Sequence, residues 1–147
     1  MLLVVGGQAR KSGKTSVIEA LIRATPEIRW TAVKISSHLH ARGPETEGDT
    51  GRYLRAGAER ALLVESDESD MAEAARQVRE ILAAGADVIC ESNRIVDFIR
   101  PDCYLLVTAP EKTEWKASAC RNASLVDALV VTGDQPLPAS PDGIPKF

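Results

Sequence analysis

The feature that most constrains this chain is a glycine-rich segment near its amino terminus, Gly6-Gly7-Gln8-Ala9-Arg10-Lys11-Ser12-Gly13-Lys14-Thr15-Ser16. A continuous apolar run at residues 2–5 precedes it, and apolar residues at helical spacing follow it over residues 17–22. A short apolar run bounded by glycines is typical of a buried strand in a parallel sheet. The segment therefore predicts a strand, a tight turn and a helix, in that order.

The turn is close to the phosphate-binding pattern GxxxxGK[ST]. The strict pattern requires glycine at position 8, where this chain has Gln8, so the spacing from Gly7 to Gly13 is GxxxxxGKT, one residue longer. Glycines allow backbone N–H groups to turn inward around an anion, and the start of a helix adds partial positive charge at the same place. We therefore expect Gly7 and Gly13 to shape a nest for phosphate groups.

Four polar side chains of this turn are candidate ligand contacts. Lys14 is expected to reach the β- and γ-phosphates, and the hydroxyl of Thr15 to ligate Mg²⁺. Ser16 is expected to donate near the α-phosphate, while Arg10 either adds a further cation or lies on the rim. These residues predict a site for Mg²⁺ and a nucleoside triphosphate, and they leave GTP and ATP both open.

Two carboxylates are candidates for the metal side of such a site. Glu91 ends the apolar run at residues 87–90, where a Walker-B-type acid lies at the carboxyl edge of a parallel sheet; the alternative is an ordinary exposed glutamate. Asp49 ends a long polar stretch at residues 36–50 and either approaches the metal or simply caps the next helix. Lys14, Asp49 and Glu91 are the catalytic candidates, and Thr15, Asp49 and Glu91 the metal ligands.

Other polar residues give weaker indications. His38 and His40 are the two histidines of the chain; they form either a metal or anion contact or, as the pattern favours, a solvated pair in a loop. Arg94 either meets an anionic ligand or lies on the surface. Asp134 follows the last predicted strand, where it would accept from a guanine base or occupy a turn.

Alternating strand and helix patterns predict the fold class. Strands are expected at residues 2–5, 30–35, 60–65, 87–91, 104–107 and 128–131, with helices between them. A capping box of Ser69 or Asp70 with Glu73 is expected to start the helix after the third strand. The prediction is an α/β chain with a three-layer P-loop NTPase fold, whose mostly parallel central sheet is flanked by helices. Residues 1–135 form the nucleotide-binding domain, and residues 136–147 a proline-rich tail.

Composition excludes several classes of protein. The 147 residues carry a net charge of -3, and the longest apolar runs are too short to span a bilayer. Residues 1–60 contain ten Lys and Arg against six Asp and Glu, which favours a local anion site over a nucleic-acid surface. Three cysteines without CxxC spacing predict unpaired thiols and a cytoplasmic location. Neither a nucleic acid nor a membrane is an expected partner.

Several segments, in order, resemble the MobB family, the molybdopterin-guanine dinucleotide biosynthesis protein B proteins and their small P-loop relatives. The segments are the glycine-rich turn, Val33-Lys34-Ile35-Ser36-Ser37-His38, Asp49-Thr50 followed by Arg52-Tyr53-Leu54-Arg55-Ala56-Gly57-Ala58, and Val88-Ile89-Cys90-Glu91-Ser92. Together they span most of residues 1–109.

The resemblance implies a GTP-binding α/β protein, often dimeric, that assists a partner in attaching GMP to molybdopterin. It implies Lys14 and Thr15 as phosphate and Mg²⁺ residues, and Asp49 and Glu91 as acidic residues near the metal. The expected activity is slow GTP hydrolysis, and the expected partners are molybdopterin or a MobA-like guanylyltransferase.

Two departures from the family pattern keep alternatives open. The turn is one residue longer than the usual MobB form and is similar to that of dethiobiotin synthetase, and Ser92 and Asn93 follow Glu91 where the family usually has a glycine. One alternative is therefore an ATP-dependent small-molecule ligase or kinase, with Lys34, His38 and Arg42 holding an acid substrate. The other is a non-catalytic nucleotide switch or adaptor.

Overall fold

The computed structural model describes residues 1–36, 48–66, 69–109 and 111–133. The strands are β1 (Leu2–Gly7), β2 (Trp30–Ser36), β3 (Arg60–Glu65), β4 (Asp87–Glu91), β5 (Cys103–Thr108) and β6 (Ala128–Val131). The helices are α1 (Lys14–Ala24), α2 (Asp49–Ala56), α3 (Met71–Ala83) and α4 (Ala117–Arg121), with 3₁₀ turns at Ile95–Asp97 and Ala123–Leu125.

The six strands form one parallel sheet in the order β3-β2-β4-β1-β5-β6. All carboxyl ends therefore lie at one edge, and β1 has β4 on one side and β5 on the other. The register pairs Val5 with Glu91 and Lys34 with Glu91, so the end of β4 lies between the ends of β1 and β2.

Each face of the sheet is covered by its own apolar cluster, because successive strand side chains point to opposite faces. On one face α1 and α2 pack, with Ile18, Ile22 and Tyr53 buried against it. On the other face α3 and α4 pack, with Met71 and Val78 among the buried residues. The described chain is thus an α/β structure with helices on both sides of a parallel sheet.

All six predicted strands are confirmed, three with the predicted bounds and three with ends that differ by one or two residues. The largest difference is in β1, which continues through Gly6 and Gly7, because both glycines pair with β5 opposite Leu106 and Val107. The sheet was expected to be mostly parallel, and every strand pair in the described residues is parallel.

The structure excludes one of the two alternatives for Asp49. Gly48 is the N-cap of α2, and Asp49 lies in the first turn, from which its side chain reaches Lys34. Asp70 is the N-cap of α3, as expected, but it makes no side-chain capping hydrogen bond, so the predicted capping box does not form. The Glu73 carboxylate binds Arg76 and Gln77 on its own helix instead.

Several predictions fall outside the described residues. They concern His38, His40 and Arg42 in the polar stretch, Asp134 after β6, and the proline-rich tail at residues 136–147. Within the described residues, no helix has both the length and the apolar character needed to cross a membrane.

Candidate functional site

The glycine-rich turn joins the end of β1 to the start of α1 at the carboxyl edge of the sheet. Gly13 precedes α1 with φ of 95°, a left-handed conformation that glycine adopts without strain. Its carbonyl accepts the first helical hydrogen bond, from the Val17 N–H at 3.0 Å. Lys11 also has a positive φ, of 57°. The turn therefore needs glycine where its backbone enters the helix.

Asn93 fixes the start of this turn from the neighbouring strand end. The Gly7 N–H donates to Asn93 Oδ1 at 2.6 Å, and Asn93 Nδ2 donates back to the Gly7 carbonyl at 2.8 Å. In the sequence, Asn93 was noted only as a departure from the MobB pattern. Its position two residues after a strand-end acid was the available signal, because parallel strand ends meet at one edge.

Glu91 is contacted by side chains from α1 and from β2. Lys14, the first residue of α1, places Nζ 3.8 Å from Glu91 Oε1, and the Thr15 hydroxyl donates to Glu91 Oε2 at 3.4 Å. Lys34 approaches from β2, with Nζ 3.6 Å from Glu91 Oε2. Glu91 is 7% exposed, so it is not the ordinary surface glutamate that the sequence also allowed.

Asp49 joins the same group of side chains from α2. The Lys34 ammonium forms an ion pair with Asp49 as well as with Glu91, so it links the two carboxylates. Burial acts to raise the pKa of Asp49, but the hydrogen bonds from Lys34 and Thr15 and the nearby positive charges outweigh burial and lower it. Asp49 is therefore held in its charged form.

Lys14 is held in an environment that disfavours its charge. Burial lowers the pKa of Lys14, and repulsion from Lys116 and Lys34 acts in the same direction against the attraction of Glu91. An anion bound at the turn would relieve this unfavourable interaction.

Tyr53 is a member of the site that sequence reasoning missed as a functional residue. It lies on the buried face of α2 and is completely buried, and its hydroxyl donates to Glu91. Burial beside the Glu91 carboxylate raises the pKa of Tyr53, so the phenol stays protonated and acts as a donor. A tyrosine in an amphipathic helix is normally a core residue, so nothing in the local pattern indicated this contact.

Arg52 links α2 to α1 at the rim. Its guanidinium forms an ion pair with Glu19, lies 4.0 Å from Asp49 Oδ1 and donates to the Ser16 hydroxyl at 3.3 Å. The Ser16 hydroxyl therefore accepts a hydrogen bond from Arg52. The sequence analysis predicted no role for Arg52.

The charged side chains of Lys14, Lys34, Asp49, Arg52 and Glu91 line a cavity of about 600 Å³. This volume lies within the range of about 300–1,000 Å³ common for small-molecule sites. Most of the site residues predicted from the sequence line it, namely Arg10, Gly13, Lys14, Thr15, Ser16, Asp49 and Glu91, together with the weaker candidates Lys34 and Arg94. Gly7 does not line the cavity directly, but a Cβ there would lie 2.8 Å from Lys14 Cδ.

The oxygen donors of the cavity suit a hard divalent cation. Mg²⁺ in proteins is usually bound by one or two carboxylates together with substrate phosphates and water, and Thr15, Asp49 and Glu91 provide such donors. Among the described residues no cluster of three or more His, Cys, Asp and Glu could hold a metal by itself.

No protein-family model matches the chain, and no curated protein sequence matches it.

Proposed function

We propose that this chain binds a nucleoside triphosphate with Mg²⁺, and that residues 7–16 form a phosphate loop within a P-loop NTPase fold. The observation that carries the proposal is the meeting of Lys14, Thr15 and Glu91 at the carboxyl edge of the sheet. A lysine and a hydroxyl at the start of a helix, facing an acid from the adjacent strand, are the groups that phosphoryl chemistry uses.

The proposed phosphate contacts come from the turn and the start of α1. Gly13 opens the backbone at the helix start, where N–H groups and partial positive charge favour an anion. The Lys14 ammonium would contact the terminal phosphates, and Arg10 and Ser16 lie along the same cavity. Binding of phosphate would compensate the burial of the Lys14 charge.

The metal would be held on the other side of the phosphates. Thr15, Asp49 and Glu91 would bind Mg²⁺ directly or through water, and Lys34, which pairs with both carboxylates, would orient them. When bound, the ion neutralises charge on the terminal phosphates. Lys14, Asp49 and Glu91 remain the proposed catalytic residues for a slow hydrolysis.

The resemblance to the MobB family supports a more specific proposal. The chain would be a GTP-binding accessory protein of molybdenum cofactor biosynthesis, acting with molybdopterin or a guanylyltransferase of the MobA type. The Lys34 and Asp49 segments of that resemblance support it, because their side chains meet across the cavity.

Nucleotide binding measured by calorimetry tests this proposal. With Mg²⁺ present, we expect GTP to bind and to compete against ATP, and Lys14→Ala to weaken binding by about 10- to 100-fold. That range corresponds to losing a hydrogen bond to a charged group, about 1.5–3 kcal/mol.

Arg29→Ala is the matched control, because Arg29 is exposed and pairs with Glu59 away from the cavity. It should bind GTP as the unmodified protein does. Absence of GTP and ATP binding by the unmodified protein would contradict the proposal, and so would equal binding by Lys14→Ala.

A second candidate function is favoured by the length of the cavity. Beyond Lys34 and Asp49 it continues to Ser36, Ser66 and Met71, at the ends of β2 and β3 and the start of α3. This gives room beside the proposed triphosphate for an acceptor, as a small-molecule ligase or kinase requires. Release of ADP or GDP that increases strongly with an added carboxylic-acid substrate would favour this candidate over an accessory protein.

A further inference from the structure

The cations of the cavity differ in whether a carboxylate balances them. Lys14, Lys34 and Arg52 each contact at least one carboxylate, on the side of β4 and α2. Within the described part of the chain, Arg10, Lys11 and Lys116 line the cavity and form no ion pair. These three residues therefore carry the positive charge that lacks a carboxylate partner.

Lys116 comes from the segment after β5. This segment leaves the sheet from β5, on the other side of β1 from β4, and reaches back to the end of β4, where Ser118 Oγ lies 3.4 Å from Asn93 Nδ2. Lys116 lines the main cavity together with Gly13 and Lys14. With Arg10 it also lines a second cavity of about 480 Å³, whose lining includes Glu111 and Glu114.

Gln8 fastens this segment to the turn through both its backbone and its side chain. Its side chain donates from Nε2 to the Lys112 carbonyl at 2.8 Å and accepts from the Ala109 N–H at 3.3 Å. Its backbone carbonyl accepts from the Lys116 N–H at 2.8 Å. Gln8 is fully buried, so these bonds are shielded from water.

Gln8 is also the residue at which the turn departs from GxxxxGK[ST]. A glycine at that position would have no side chain to hold the carbonyl of residue 112 or the N–H of residue 109. Gln8 therefore fastens the segment that carries Lys116 in a way that a glycine at that position would not.

We infer that Lys116 is a second phosphate-binding lysine, which Gln8 holds beside the glycine-rich turn. Its ligand is the polyphosphate chain of a nucleotide. The inference rests on the phosphate-binding part of the proposed function and adds a contact from outside the glycine-rich turn. The pKa of Lys14 is lowered in part by repulsion from Lys116, as expected of two ammonium groups that share one anion site.

Inorganic tripolyphosphate is a direct probe, because it presents the phosphate chain without a base. Titration by calorimetry, without Mg²⁺, compares the unmodified protein with Lys116→Gln and Lys112→Gln. We expect Lys116→Gln to weaken binding by about tenfold and to reduce the dependence of affinity on salt, since one charge contact is lost. Lys112→Gln should change the affinity by less than about twofold, because Lys112 lies on the same segment but does not line the main cavity.

The outcomes separate this inference from the proposed function. If the unmodified protein does not bind tripolyphosphate, GTP or ATP, both are overturned. If it binds them and Lys116→Gln binds equally tightly with the same salt dependence, only the role of Lys116 is overturned. Retention of affinity by Lys116→Arg, which keeps the charge, is the expected result for a contact with phosphate.

A double-variant comparison tests the role of Gln8 as a positioning residue. Gln8→Met keeps the volume of the side chain but loses its hydrogen bonds, and Gln8→Asn is used if that variant does not fold. In either background, Lys116→Gln should cost less than about threefold in tripolyphosphate affinity. A full tenfold cost in the Gln8 variant would show that Lys116 reaches the phosphates without Gln8.

Discussion

Two buried tyrosine hydroxyl groups, those of Tyr53 and Tyr104, differ in whether they form a hydrogen bond. Tyr53 and Tyr104 are both completely buried, and burial raises the pKa of each phenol. The Tyr53 hydroxyl donates to Glu91, whereas that of Tyr104 has no hydrogen-bond partner in the described part of the chain. The two residues therefore form a matched pair for measuring what the contact with Glu91 contributes.

Removing the Tyr53 hydroxyl should destabilise the fold. In urea unfolding we expect Tyr53→Phe to lower the free energy of unfolding by about 1–3 kcal/mol, because a buried carboxylate loses a donor. Tyr104→Phe should be neutral or stabilising, since an unpartnered buried hydroxyl carries a desolvation cost. Equal losses in the two variants would indicate that Tyr53 contributes packing alone.

At the level of residues, the sequence predicted the groups that belong to a local pattern. Lys14 and Thr15 stand in the turn motif, and Glu91 stands at the end of an apolar run, so each is recognisable from its neighbours. Tyr53 and Asn93 act through contacts 38 and 86 residues away along the chain. Such contacts depend on which strands become neighbours, and no local spacing encodes that.

At the level of elements, the glycine-rich turn is restrained by space as well as by backbone conformation. Gly7 lies against the Lys14 side chain, so a methyl group at position 7 would displace the stem of that lysine. Gly85, after α3, has φ of 86° and open space around its Cβ position. The two glycines thus separate the effect of crowding from that of a left-handed backbone.

Gly7→Ala is expected to impair both stability and ligand binding. We predict a loss of about 1–3 kcal/mol in unfolding free energy, typical of overpacking, together with at least a tenfold loss of nucleotide affinity in the same calorimetric assay. Gly85→Ala should cost about 1–2 kcal/mol of stability from its left-handed φ and leave nucleotide affinity unchanged. Normal binding by Gly7→Ala would contradict the described packing of the turn.

The elements themselves were predictable because their apolar periodicity is regular. The capping of α2 and α3 was not, since a side-chain cap depends on geometry as well as residue type, and neither helix has one. Asp49 is a suitable N-cap by type, yet its ion pair with Lys34 draws it into the cavity, and Gly48 takes the cap position. The same ion pair is what makes Asp49 a member of the site.

At the level of the whole molecule, the order of the strands creates the site. Strand alternation predicted a parallel sheet, but it did not predict that β1 would lie between β4 and β5. That order puts Glu91 beside the turn and lets the segment that carries Lys116 pack against Gln8. The cavity is therefore a product of topology, which brings the carboxylates of β4 and α2 together with the cations of α1, β2 and the segment after β5.

The most direct test of the central proposal is the response of backbone amide NMR signals to a nucleotide with Mg²⁺. If the turn binds phosphate, the largest shifts on adding GTP or ATP should fall on Gly13, Lys14, Thr15 and Ser16, whose N–H groups open α1. Amides within α3 beyond its first turn should change little. Shifts confined to other parts of the chain, or no shifts at millimolar nucleotide, would contradict the account.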